Sequence, residues 1–299
     1  VSRQHALRYA ALALGVLVVS TAALLIRQAI DAGAHPLAIA AARLTLASAV
    51  VVPLAWVMRR QSLGSLKARD WRSAALAGSL LAVHFGTWIA SLRFTSVASS
   101  VALVTTNPIW VGLAAWLLMR EPPARGTLVG IAMGIAGTGL IIANDLVHAG
   151  AAPAGREPML GNALALAGAI AISGYLLVGR RLNLKLPLLA YVAIVYGAAA
   201  LAMNLIAMLA GQGIDRIPPA AWLPIIGLAL GPQLAGHTLI NASLRHLSPT
   251  FVALAILGEP VGSAILAWLL LGENVAPLQL LGFSVLLAGI VVAARAERH

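Results

Sequence analysis

The sequence predicts an all-α, polytopic membrane protein with ten transmembrane helices arranged as two inverted five-helix repeats. Three observations predict it. First, 61% of the 299 residues are hydrophobic, only 10% are charged, and mean hydropathy is +0.93; a soluble domain carries about a quarter charged residues. Second, apolar stretches near the roughly 20 residues needed to cross a bilayer recur along the whole chain. Third, the chain repeats itself. Ala-Ser-Leu-Arg at residues 90–93 recurs at 242–245, an offset of 152. The register then holds, with Asn107-Pro108 on Glu259-Pro260, Ala115-Trp116 on Ala267-Trp268, Glu121 on Glu273, and Gly130 and Gly137 on Gly282 and Gly289.

The predicted spans of the first copy are 9–29, 36–58, 72–92, 95–119 and 124–143; those of the second are 159–179, 187–210, 220–241, 247–271 and 275–294. Connections are short. The longest polar segment, 144–158, joins a first repeat at 1–143 to a second at 159–299. The first apolar stretch is long enough to span and lacks a convincing cleavage site, so it reads as span 1 rather than a signal peptide.

Charge gives the orientation. The net charge of +11 does not gather into one basic patch, which argues against a nucleic-acid partner. With the N-terminus inside, fifteen Lys and Arg residues fall in cytoplasmic segments. The outer side keeps four, Arg27, Arg93, Arg156 and Arg216, and Arg43 lies within span 2. This is the positive-inside pattern. The loop after span 2 carries five basic residues, whereas its counterpart after span 7 has only Arg216. Equivalent loops with opposite loading are what an odd number of spans per copy produces. The expected location is a bacterial inner membrane, with both termini cytoplasmic.

Span 5 carries Gly126, Gly130, Gly134 and Gly137 at four- and three-residue spacing, and span 10 has Gly282 and Gly289 in matching places. Such rows let helix backbones approach closely, either within one monomer or between spans 5 and 10 of a homodimer. Prolines interrupt spans at Pro53, Pro108, Pro224, Pro232 and Pro260. Each removes a backbone hydrogen bond and can kink its helix. The matched pair Pro108 and Pro260 is the most informative, because helices interrupted at equivalent places in two halves point to a transport site.

Ionisable groups inside a membrane are costly and mark function or a buried partner. Four stand out: Arg43, His84, His237 and Glu259. Glu259 and Arg43 have compatible depths for an ion pair; alternatively Glu259 faces a cavity, as a proton carrier or as a ligand for a substrate amino group. His84 and Trp88 lie four apart on one face of span 3. Gln233, His237 and Asn241 repeat that spacing in span 8, and Ser96, Ser100, Asn107 and Trp110 form a comparable stripe in span 4. Asn107 either bonds the carbonyl freed by Pro108 or faces the substrate path. Tyr175, Tyr191 and Tyr196 offer aromatic walls, with Tyr191 also suited to anchor at an interface.

Enzyme chemistry finds little support. There is no cysteine, no H-E-x-x-H or G-x-S-x-G motif and no Walker loop. No cofactor or metal is expected, and transport energy must come from an ion or solute gradient. The alternatives from other classes are a membrane enzyme using the two histidines and a structural membrane protein.

The stretch Leu92–Ile141 and its echo Leu244–Ala293 resemble the EamA-type repeat of the drug/metabolite transporter superfamily. Pro108, Glu121, Gly130 and Gly137, with Pro260, Glu273, Gly282 and Gly289, carry that resemblance, and Arg43 fits the same pattern. Within the superfamily, Leu257-Gly258-Glu259-Pro260-Val261 is most similar to YddG-type exporters of aromatic and other bulky neutral amino acids. The resemblance implies export by alternating access, with drug or other metabolite efflux as the competing substrate class. The expected substrate residues are His84, Trp88, Asn107, Trp110, Tyr175, His237 and Glu259. The expected partners are a small-molecule substrate and the lipid bilayer.

Overall fold

The structure is a computed structural model describing residues 3–95, 97–120, 124–148, 157–271 and 276–296. Ser96, Glu121, Arg156 and Glu273, all weighed above, lie outside the described residues. Every regular element among those described is helical. Among the described residues, six segments are long and apolar enough to cross a membrane unaided: 7–31, 36–64, 68–94, 159–185, 188–209 and 219–243. The predicted spans 4 and 9 are instead each two short helices, and spans 5 and 10 are single helices.

The first copy opens with α1 (Arg3–Val19) and α2 (Ala22–Asp31). They bend at Ser20 and Thr21, whose hydroxyls donate to the Val16 and Val18 carbonyls, each at 2.8 Å. Such bonds compete with the helix ladder. Next, α3 (Pro36–Gly64) starts where His35 Nδ1 accepts the Leu37 N–H at 3.3 Å and Pro36 takes the first helical position. Pro53 leaves α3 unbroken; the departure from helical geometry falls at Arg59 (φ −132°, ψ 22°). Then come α4 (Ala68–Phe94), α5 (Val97–Val104), α6 (Asn107–Met119) and α7 (Arg125–His148).

The second copy runs through α8 (Pro158–Lys185), α9 (Leu188–Leu209), α10 (Trp222–Leu228), a π-helical stretch Ala229–His237, and α11 (Thr238–Ser243). It ends with α12 (Pro249–Ile256), α13 (Glu259–Leu271) and α14 (Pro277–Ala296). Pro224 sits in the first turn of α10, where its missing N–H breaks no intrahelical bond, so the kink expected there does not form. Pro232 lies inside the π-helical stretch, which absorbs it by widening the turn.

Contacts between equivalent helices establish the inversion. Asn204 Nδ2 on α9 donates to Thr45 Oγ1 on α3 at 2.7 Å, and Gly197 lies against Val52. Residue 197 is 45 displaced by the repeat offset, and 204 is 52 so displaced. The two contacts are therefore images of each other, and the helices run antiparallel. The same holds for α7 and α14. A Cβ on Gly137 would sit 2.5 Å from the Gly282 carbonyl oxygen, and one on Gly289 would sit 2.8 Å from that of Gly130. Both are closer than any side chain tolerates, so the glycine rows are spent on close packing inside the monomer.

A polar cluster ties α8, α9 and α11 together. Tyr175 Oη donates to Asn241 Oδ1 at 2.6 Å, and Asn241 Nδ2 donates to Tyr196 Oη at 3.4 Å. Tyr175 is thus a buried donor within this cluster. Tyr191 is fully buried, packed against Gly179, and does not anchor at an interface.

Candidate functional site

The two prolines interrupt their helices at equivalent places and by the same means. Pro108 and Pro260 lack an N–H, and their rings crowd the carbonyls four residues earlier. The chain tightens before each: Thr106 N–H reaches the Leu103 carbonyl at 3.2 Å, and Gly258 N–H reaches that of Ala255 at 2.9 Å. A new helix then starts, α6 at Asn107 and α13 at Glu259. Asn107 Oδ1 is buried without a hydrogen-bond partner. The Asn107 backbone oxygen accepts from Ser173 Oγ at 3.2 Å.

Both breaks open onto one central cavity. It is lined by His84 and Trp88 of α4, Thr105 and Asn107 at the first break, His237, and Glu259 at the second. Val19, Ala22, Val104, Ile172, Leu176, Ile240 and Ile256 supply the apolar wall. The cavity has a volume of only about 40 Å³, so a bulky solute requires the walls to part.

His84 is oriented from both sides. Its Nδ1 lies 3.0 Å from the Gly168 carbonyl, which can only accept, so Nδ1 carries the proton and Nε2 is left with its lone pair. The ring stacks on Trp88 at 5.8 Å between centroids and 16° between planes. The buried Trp88 Nε1 has no hydrogen-bond partner. Phe85 meets His237 edge-on at 5.2 Å. The fully buried Arg43 lies over the other part of this aromatic group, with Cζ 3.9 Å from the Phe85 centroid. None of its three guanidinium nitrogens has a hydrogen-bond partner. The ion pair considered for Arg43 and Glu259 is not made; the cation is held by an aromatic face.

Five of the seven substrate residues expected from the sequence therefore meet in one place: His84, Trp88, Asn107, His237 and Glu259. Trp110 and Tyr175 are not among the lining residues. Trp110 Nε1 donates to Thr106 Oγ1 at 3.3 Å. The stripe expected along span 4 is cut by the break, and Ser100 instead pairs with Ser91 at 2.6 Å between hydroxyl oxygens. The stripe in span 8 does not reach the cavity as a unit: His237 lines it, whereas Gln233 and Asn241 are not among the lining residues. Gln233 is fully buried, and both its amide atoms lack partners. The wall from α1, α2 and α8 was not foreseen, because Val, Ala, Ile and Leu there carry no distinguishing chemistry. Its one available signal was the repeat, which makes span 1 the counterpart of span 6.

A helical membrane protein of two inverted repeats, with a polar cavity at paired helix breaks, has the architecture of a secondary transporter. Residues 7–143 and 159–295 each match the model of the EamA-like transporter family, and the chain belongs to that family. The chain is 23% identical over 203 residues to a protein of Bacillus subtilis (strain 168) described as the uncharacterized transporter YetK, covering 67% of this chain. The match spans 61% of that relative's length. A solved crystal structure superposes with a TM-score of 0.77 at 21% identity, over 98% of each chain, which is a likeness of fold.

Proposed function

We propose that this protein exports small metabolites, neutral or aromatic amino acids foremost, by alternating access between halves 1–143 and 159–299 joined by 144–158. The observation that carries the proposal is that the two helix breaks are alike in backbone and unlike in charge. Helix N-termini carry a partial positive charge that favours anions. Glu259 puts a carboxylate in the first turn of α13, whereas α6 starts on the neutral Asn107 with no acid in its first turn. One pole suits an ammonium and the other a carboxylate, the two ends of an amino-acid zwitterion. Trp88, Ile172, Leu176 and Ile240 suit its apolar side chain. The YddG-type resemblance points to the same substrate class.

Alternating access is supported by unequal packing of equivalent pairs. At the end where most basic residues gather, α6 packs along α12; at the other end their counterparts α13 and α5 touch far less. In a two-fold fold, exchanging the tight and loose pairs generates a second state. With the basic end cytoplasmic in a bacterial inner membrane, the present state is closed inward.

Counterflow in proteoliposomes tests the proposal. Preloaded unlabelled amino acid accelerates uptake of the radiolabelled one, with bulky neutral side chains fastest. No acceleration with any amino acid contradicts the substrate class.

A further inference from the structure

A second site lies away from the central cavity, at the basic end of the bundle. A cleft of about 580 Å³ opens between the start of α4, the end of α8 and Ala114 of α6. Lys67, Arg69, Arg181 and Lys185 line it, with Asp70 as the one acid among the described lining residues. Asp70 is already engaged: it accepts the Lys67 N–H at 2.9 Å and the Lys185 ammonium. The described lining is left with an excess of positive charge, four cations against one carboxylate. Its floor is apolar, formed by Ala114, Leu177, Val178 and Leu182.

The depth of the cleft in the membrane follows from two tryptophans. Trp71, one residue past Asp70, is 50% exposed, and Trp56 near the end of α3 is 58% exposed. The Arg60 guanidinium lies 5.5 Å from the Trp56 ring. Exposed tryptophans paired with cations mark the headgroup boundary of a bilayer. The mouth of the cleft therefore sits at the level of lipid phosphates, and its floor at the level of acyl chains.

We infer that this cleft binds an anionic phospholipid, its headgroup phosphate held by Lys67, Arg69, Arg181 and Lys185 and its chain lying along Leu177 and Val178. Charge complementarity selects an anion, and the apolar floor selects an acylated one over free phosphate. Since α4 belongs to the first repeat and α8 to the second, a bound headgroup ties the two halves together at this end. The site is independent of the identity of the transported solute.

The test uses the full chain purified in neutral detergent, with lipid binding followed by native mass spectrometry and stability by thermal unfolding. Phosphatidylglycerol is expected to bind and to raise Tm by several degrees, while phosphatidylcholine and inorganic phosphate leave it unchanged. Removing two phosphate-facing cations in Arg69→Gln/Arg181→Gln is expected to weaken phosphatidylglycerol affinity roughly thirtyfold. The equal-charge control Arg59→Gln/Arg295→Gln retains it. Should the double variant not fold, Arg181→Gln alone is read, with about a fivefold loss. Equal Tm shifts from inorganic phosphate or phosphatidylcholine overturn the inference. So does a cleft variant that holds phosphatidylglycerol as well as the control does.

Discussion

At residues 105–108 and again at 257–260 the chain breaks a membrane helix, tightens one turn and restarts on a residue followed by proline. The backbone does the same thing twice; the side chains do not. Asn107 opens one helix with a neutral amide, and Glu259 opens its counterpart with a carboxylate. The difference teaches that the fold supplies a symmetric frame and a few substitutions supply polarity to the cavity. In the proposed mechanism, symmetry makes two interchangeable conformations available, and asymmetry decides which solute rides between them.

The frame itself is where substitution should cost most. Leucine at Gly137 or at Gly289 forces α7 and α14 apart and is expected to cost about 3 kcal/mol in each case. Leucine at Gly139, which has open space around it, should leave thermal unfolding unchanged. Unequal losses at 137 and 289 would break the equivalence of the two halves.

The poles come next. Glu259→Gln removes a charged partner and is expected to lower kcat/KM for a neutral amino acid at least about tenfold, read by counterflow. Asn107→Ala removes a neutral partner, and a loss of about fivefold is expected. Equal effects from the two would mean that the breaks are not chemically distinct.

Smaller effects separate the frame from the site. Tyr175→Phe deletes the bond to Asn241 and should lower stability by about 1 kcal/mol, while solute affinity stays unchanged. A shift in affinity would return Tyr175 to the cavity. The smallest expected effect is at His35, where burial first and Arg93 second hold the imidazole below its usual pKa. Because the folded value is depressed, its contribution is intact above the unfolded value of 6.5 and is lost as pH falls through the folded one. Thermal scans should show a small fall in Tm on acidification, absent in His35→Leu, because solvent screens a group this exposed.

Much of this was readable in the amino acids, and for identifiable reasons. Pro108 and Pro260 predicted their breaks because a missing N–H acts locally and the repeat doubled the signal. His84, Trp88, Asn107, His237 and Glu259 were recognisable because polar groups within an apolar span need an interior destination. Tyr175 and Trp110 were expected in the cavity but do not line it, because an aromatic ring with a polar tip is equally suited to a wall or to a buried bond. The failed pairing of Arg43 with Glu259 depended on which helices are neighbours, a long-range property that spacing does not carry. The π-helical stretch at 229–237 likewise left no periodicity to read.

The most direct test offers three solutes to the reconstituted protein: a neutral amino acid, its decarboxylated amine and its deaminated acid. The account predicts that wild type exchanges the zwitterion far faster than either fragment, and that Glu259→Gln loses most of that preference over the acid. Exchange of the amine or the acid at the rate of the zwitterion, or a Glu259→Gln variant indistinguishable from wild type, would contradict it.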